Sequence, residues 1–396
     1  MPPSPDPLPA GAPVRVLHTI TRLIVGGAQE NTLYTAARLP RERYQIEVLS
    51  GPQTGSEGSL IDEVRQNTPL IIDPHLLRQV SPLHDLRSLL SQYRLMRRNG
   101  YAIVHTHSSK AGILGRLAAR LAGTPVVVHT VHGWSFHDYM SPAVRRAYIL
   151  LERWMARSSD ALVVVTERDI HKGLQAGIGQ PAQYRLLRSG IPLDEFVPSA
   201  YDRQAERAAL GVAPDEVVVG NVGRFSAQKN PLDWVKVAGI VARACPQARF
   251  VLVGDGPLHA SVQAALQAEG IAGRTLLPGL RRDVARWLAV MDVFLLSSLW
   301  EGLPRVIPQA MAMGLPVVAN HADGVVEAVQ DGQTGFLCTP GDTPGMAGRV
   351  IELVNHPLLR QEMGARGRAA AAEFDLQTML AGLDRLYQEL LDAAGC

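Results

Sequence analysis

A chain of 396 residues is too long for one core, and 46% hydrophobic with 19% charged residues describes a soluble globular protein of two ordinary domains. A net charge of +2 excludes a nucleic-acid role carried by bulk electrostatics. The three cysteines, Cys245, Cys338 and Cys396, lack paired spacing, which argues against a zinc site and for a reducing compartment.

Residues 1–12 are rich in proline and lack the basic start and apolar centre of a signal peptide, so they read as a disordered leader. No apolar run reaches about 18 residues, so no spanning helix is expected and the protein is placed in the cytoplasm. Beyond the leader, apolar β-type runs alternate with helical patterns. Strands are expected at 14–19, 44–49, 70–72, 103–107, 126–131 and 161–165, then at 217–222, 249–253, 275–277, 293–297 and 316–319. Helical patterns lie between them, among others at 28–37, 113–121, 231–244 and 259–269. Continuous apolar strands interleaved with helices imply parallel sheets covered on both faces. The rhythm lapses over 188–215, where proline and charge replace apolar periodicity. The expected architecture is therefore α/β, with two Rossmann-like, doubly wound domains over residues 13–188 and 189–375 facing one cleft. Residues 376–396 carry a lone amphipathic helix, which either pads the second domain or serves the first.

Chemistry-bearing residues follow the strand ends. After strand one, Gly26 and Gly27 precede a helix, a pairing that lets backbone approach a ligand closely or simply closes a tight turn. No dinucleotide fingerprint follows. His105, His107, His129, His132 and His137 cluster at adjacent strand ends. Without a carboxylate or cysteine at matching spacing, no metal is expected. His132, before Gly133, is either a satisfied structural imidazole or a hydrogen-bonding group near a reacting centre. In NVGRFSAQKN, Arg224 and Lys229 flank one short turn, either as solvated cations or as a clamp for a diphosphate. Gly254 lies in VGDGP, a plain turn or one that passes close to a flat ring. In SSLWEGLPRVIPQAMAMGLPVVA a buried strand runs into a turn carrying Glu301, and a helix is expected to offer its amides beside that acid. Eight positions on stands Gln309. No Asp-x-Asp pair, Walker loop or Gly-x-Ser-x-Gly elbow occurs.

These segments, in this order, resemble the retaining glycosyltransferases of family 4, which have the GT-B fold. The resemblance rests on LIVGGAQENTL, HTHSSKAGILGRLAAR, HTVHGW, SGIPLDEF, NVGRFSAQKNP, VLVGDGP, SLWEGLPRVIPQAMAMGLPVVA and DGQTGFL. It implies transfer of a hexose or N-acetylhexosamine from a nucleotide diphosphate sugar, with UDP favoured, to a glycan or lipid-linked acceptor. It implies retention and neither metal nor cofactor, with the donor on domain two, the acceptor on domain one, and the last helix crossing back to domain one. Carried over by position, Arg224 and Lys229 grip the diphosphate, helped by the amides of Gly302 and Leu303, whereas Pro304 has none to give. Glu301 orients the sugar, His132 stands beside the reacting centre, and Gly26 and Gly27 lie near donor phosphate and acceptor. Gly254, Gly279 and Leu280 belong to the donor side, the last two at the base; His107 and Lys110 belong to the acceptor side.

Gln309 departs from the family pattern, where a second Glu usually binds the ribose. Exchanging a charge-assisted for a neutral hydrogen bond costs about 1 kcal/mol, roughly fivefold to tenfold in affinity. Losing a catalytic carboxylate would instead cost on the order of 10² to 10⁴ in rate. Gln309 is thus expected to weaken donor binding without removing the reaction. The alternatives are a non-catalytic nucleotide-sugar-binding protein and a nucleotide-sugar 2-epimerase. Basic amphipathic stretches, with Arg87, Arg94, Arg97 and Arg98 and then Arg145, Arg146, Arg153 and Arg157, fit either an ordinary solvated face or docking on the anionic inner face of the plasma membrane.

Overall fold

The computed structural model describes residues 12–53, 55 and 57–396, so residues 1–11 of the expected leader lie outside the described residues. The chain forms two compact units: one runs to Ser189 and includes Gln377–Cys396, and the other is Gly190–Leu376.

The first unit holds a seven-stranded parallel sheet of β1 (Val14–Ile20), β2 (Tyr44–Ser50), β3 (Leu70–Ile72), β4 (Ile103–His107), β5 (Val126–Val131), β6 (Ala161–Val164) and β7 (Tyr184–Leu186). Its order is β3-β2-β1-β4-β5-β6-β7, so the winding reverses between β1 and β4. The second unit holds β8 (Val217–Val222), β9 (Ala248–Val253), β10 (Thr275–Leu276), β11 (Val293–Leu296), β12 (Val317–Asn320) and β13 (Gly335–Cys338). Here the order is β10-β9-β8-β11-β12-β13 and the reversal falls between β8 and β11. Where the winding reverses, the loops at the carboxyl ends of the two strands diverge, and an open α/β sheet gains a ligand crevice there.

The strands form because valine-rich runs stiffen the backbone and bury both faces. β4, β5 and β6 are buried throughout, and Val217, Val219, Val293, Leu295 and Val318 join Trp234, Phe250 and Met346 in the second core. Helices end where the sequence supplies a left-handed residue, as at Gly100 (φ 59°) and Gly123 (φ 78°). β7 and β13 had not been expected: they are edge strands of three and four residues, too short to show a period.

The C-terminal helix Leu376–Ala394 buries Leu380, Leu383, Leu386, Tyr387 and Leu391, one helical face at the spacing of a core contact. That face packs on the first unit, as the family resemblance implied. Asp384 fastens it there, accepting from Arg43 Nη1 and from Tyr44 Oη, both at 2.7 Å.

Candidate active site

In the second unit the site is assembled at the β8/β11 reversal. Beyond β8, Gly223 N donates to Val253 O at 2.9 Å and Phe225 N to Asp255 O at 2.8 Å, so the turn stays zipped to the chain leaving β9. Gly254 (φ 143°) makes this close approach sterically feasible, because a Cβ there would lie 1.9 Å from Gly223 O. Phe225, 1% exposed, anchors the turn in the core.

The same turn is stitched to the segment after β11. Ser297 Oγ donates to Lys229 O (3.1 Å) and Asn230 O (2.8 Å), and Leu299 N donates to Gln228 O (2.9 Å). The result is that residues 72 positions apart meet: Lys229 Nζ donates to Glu301 Oε1 at 2.5 Å. Gln228 Nε2 donates to Trp300 O at 3.0 Å and approaches Glu301 Oε2 at 3.4 Å. Glu301 is 8% exposed, so the ion pair is largely removed from water and its geometry is fixed. Arg224 lies half-buried on the same turn.

Sequence reasoning missed two supports of Glu301. Asp323, with φ 29°, accepts from Glu301 N at 3.2 Å, and Asn320 at the end of β12 donates to Ser297 O at 2.9 Å. Their only signal was position at, or just past, the end of an apolar strand. One expectation is corrected. The helix after Glu301 opens only at Val306 and runs to Ala312, so Glu301, Gly302 and Leu303 occupy a loop and no helix amides stand beside the acid. Pro304 disfavours helical backbone at Leu303 and delays the helix. Gln309 lies on that helix, 9% exposed, and among the described residues its side-chain amide has no protein hydrogen-bond partner. Gly279 (φ 75°) has open space where a Cβ would point, its carbonyl accepting from Gly254 N at 2.9 Å, and Leu280 is exposed.

In the first unit the expected residues collect at the β1/β4 reversal. Gly26 is extended and Gly27 opens the helix Gly27–Arg38. The preceding loop is braced by the two hydrogen bonds of Arg22 to Glu57, at 2.8 and 3.2 Å. His132, half-buried, follows β5 directly, and its Nε2 lies 3.1 Å from His107 Nδ1. His107 is fully buried, with its other nitrogen 2.9 Å from His18 Nδ1, so it presents no polar edge to solvent. Lys110 is held by Asp85 Oδ1 at 2.5 Å and by Gln79 O. His129 bonds Thr106 Oγ1 at 2.8 Å, and His137 Nδ1 accepts from Tyr139 N at 3.2 Å.

His18 was not singled out in the sequence, yet it completes the one trio of metal-capable side chains among the described residues, with His105 and His107. All six ring nitrogens of that trio already have side-chain partners within 3.3 Å. A cation could enter only by breaking those bonds. Burial pushes the His18 imidazole down to about 3, and burial together with neighbouring imidazoles holds His105 and His107 well below their ordinary value. The trio is a neutral, hydrogen-bonded core.

Two doubly wound units with polar clusters at their reversal points match the architecture of the GT-B class, and the family comparisons make it a sugar transferase. Residues 26–190 match the family described as a glycosyl transferase 4-like domain, and residues 216–356 match glycosyl transferases group 1. The UDP-Gal:α-D-GlcNAc-diphosphoundecaprenol α-1,3-galactosyltransferase of Escherichia coli is 32% identical over 349 residues, 87% of this chain and 89% of its own. The N-acetyl-α-D-glucosaminyl L-malate synthase of Bacillus anthracis is 27% identical, covering 78% of this chain and 80% of its own. The crystal structure of Anabaena HepE with UDP and glucose shares the fold, with a TM-score of 0.82 at 22% identity over 95% of this chain and all of that one. The chain belongs to family 4 of the glycosyltransferases and is a glycosyltransferase itself.

Proposed function

We propose that the enzyme transfers a hexose or N-acetylhexosamine from a UDP-linked sugar to a glycan or lipid-linked acceptor, with retention at the anomeric carbon and without a metal. The observation that carries this reading is the Lys229–Glu301 pair at 2.5 Å, fixed at the β8/β11 reversal with Arg224 on the same turn. Cleaving the bond between the anomeric carbon and the diphosphate oxygen places charge on the leaving phosphate. Arg224, Lys229 and the loop amides of Gly302 and Leu303 are the groups that would receive it, while Glu301 accepts hydrogen bonds from the sugar hydroxyls. Gln309 takes the ribose. His132 stands beside the reacting centre, and Lys110 marks the acceptor side. A UDP sugar and a polyprenyl-diphosphate acceptor are those in the name of the Escherichia coli relative. Purified enzyme with a panel of nucleotide sugars and lipid-linked acceptors, with and without EDTA, should release UDP and yield a product of unchanged anomeric configuration. Binding of nucleotide sugar without hydrolysis or transfer on any acceptor would sink the proposal.

The acceptor reading places the enzyme peripherally on an anionic membrane. Two helices of the first unit support it. Pro82–Asn99 presents Leu83, Leu86 and Leu90 in one exposed stripe that continues into Arg94 and Arg97. Pro142–Ala156 presents Leu150 and Trp154 beside Arg146 and Arg153, and Leu150, Ile149 and these arginines line a groove. An apolar line flanked by arginine suits an interface of acyl chains and acidic headgroups. No helix among the described residues is long and apolar enough to cross a membrane. Flotation with phosphatidylglycerol vesicles, set against neutral vesicles, tests the docking, and equal recovery from both would remove it.

A further inference from the structure

From His132 inward runs a hydrogen-bonded chain of six side chains, of which the transfer chemistry above uses only His132. Thr130 Oγ1 meets His105 Nε2 at 2.6 Å, and His105 Nδ1 meets Tyr387 Oη at 2.6 Å. Tyr387 Oη lies 3.3 Å from His18 Nε2, His18 Nδ1 lies 2.9 Å from His107 Nε2, and His107 Nδ1 lies 3.1 Å from His132 Nε2. Thr130, His105, His18, His107 and Tyr387 are all buried. β1, β4 and β5 supply five of the six, by register or by succession, and the returning helix supplies Tyr387.

A neutral imidazole has one donor and one acceptor nitrogen, and the tyrosine hydroxyl has a single proton. Such a chain satisfies all five contacts in three ways: donating throughout towards His132, throughout towards Thr130, or from both ends into Tyr387, whose oxygen can accept twice. The last strands the buried Tyr387 proton, which among the described residues has no other partner, and the first two differ at the Thr130 end. If the chain runs towards Thr130, the threonine oxygen accepts and its own proton is left over. Among the described residues that hydroxyl has no other hydrogen-bond partner, and a buried donor without an acceptor costs about 1–3 kcal/mol. If it runs towards His132, Thr130 donates to His105 Nε2, His105 Nδ1–H to Tyr387, Tyr387 to His18 Nε2, His18 Nδ1–H to His107 Nε2, and His107 Nδ1–H to His132 Nε2. No proton is then stranded.

We infer that this chain holds His132 as its neutral Nδ1–H tautomer, a hydrogen-bond donor at Nδ1 rather than a proton acceptor at Nε2, and that Tyr387 is a positioning residue for it. The inference rests on the reading that places His132 beside the reacting centre. Protonating Nε2 would drive two N–H groups against each other unless the bonds through His107 and His18 reversed with it and left the Tyr387 or the Thr130 proton stranded. His132 therefore steadies negative charge or a sugar oxygen without taking a proton away. Burial keeps the interior imidazoles uncharged, as the chain requires. His107 acts here through His132 and not by touching the acceptor.

Nitrogen-15 spectroscopy of the histidine rings in the full-length enzyme reads the tautomer directly. In the wild type His132 should show a protonated Nδ1 and a bare Nε2. Tyr387→Phe, which keeps the ring and removes the hydroxyl, should give a mixture of tautomers at His132. It should also lower kcat about tenfold at unchanged donor KM, on the scale of one hydrogen bond. Thr130→Val removes the buried anchor without touching the helix and should give the same mixture, so the test stands if Tyr387→Phe does not fold. A wild-type His132 protonated at Nε2, or a tautomer unmoved by both variants, overturns the inference. His132→Ala separates the two readings. Full transfer by that variant sinks the placement of His132 at the reacting centre, whereas an Nε2–H His132 in an enzyme that His132→Ala inactivates sinks the chain alone.

Discussion

At the reversal of its winding the first unit gathers neutral imidazoles, buried and bonded to one another and to two hydroxyls. At the corresponding place the second unit sets full charges, Lys229 against Glu301 with Arg224 on the same turn. The same βαβ rhythm thus produces a site without net charge in one unit and a charged one in the other. The difference follows from where the polar residues stand. His18, His105 and His107 lie within strands and are covered by the helices on the sheet, so only uncharged forms are tolerated. Lys229 and Glu301 stand in the loops beyond the strands, where each charge has the other as its partner and Lys229 keeps 22% of its side chain exposed.

The contrast can be broken most strongly with acid. An imidazole whose pKa is about 6.5 unfolded and far lower folded binds its proton only in the unfolded chain between those values, so stability falls as pH drops below about 6.5. At pH 5.5 the His18 imidazole alone costs about 1.4 kcal/mol, and His105, His107 and His129 add to the loss in the same direction. Denaturant midpoints measured from pH 7.5 to 5.5 should fall steeply, and a flat profile would contradict the buried neutral cluster. Next comes a buried charge pair within the first unit, Arg116 Nη2 with Glu152 Oε2 at 2.8 Å. Glu152→Ala strands the guanidinium at a cost of about 3–5 kcal/mol, lowering the calorimetric midpoint on the order of 10 °C.

In the second unit, Lys229→Ala and Glu301→Ala should each lower kcat by about 10² to 10³ or more while leaving the fold intact, as measured by UDP release. Retained turnover in either variant removes that residue from the site. Gly254→Ala must displace the turn from Gly223 O, so donor KM should rise by the equivalent of about 1–3 kcal/mol. The smallest effect belongs to Gln309→Glu. Titration calorimetry should show UDP-sugar binding unchanged or up to about tenfold tighter, and a collapse of turnover would show that position 309 does something other than hold ribose.

Much of the fold was legible because its strands are long apolar runs. β4 and β5 fall at the expected residues, and β1 and β2 extend one residue beyond them. The edge strands β7 and β13 were not, since a half-covered strand of three or four residues carries no period. In the site, the motif around Glu301 was readable, but its pairing with Lys229 depends on Ser297, Leu299 and Asn320 joining segments distant in sequence. Asp323 was marked only by its position past an apolar strand, because it supports Glu301 through a bond to a backbone amide. His18 and Tyr387 were invisible for a related reason. Each lies on the buried face of its element, and only the register of β1 on β4 and the return of the last helix bring them together.

That return also sets an order of assembly. On the ribosome the seven strands of the first unit emerge before any of the second, yet the tyrosine that joins His105 to His18 appears only after the whole of the second unit. The second unit is contiguous and can close as it is made, whereas the first waits for the helix Leu376–Ala394 with its imidazoles still lacking a partner. The half synthesised first is therefore the half completed last.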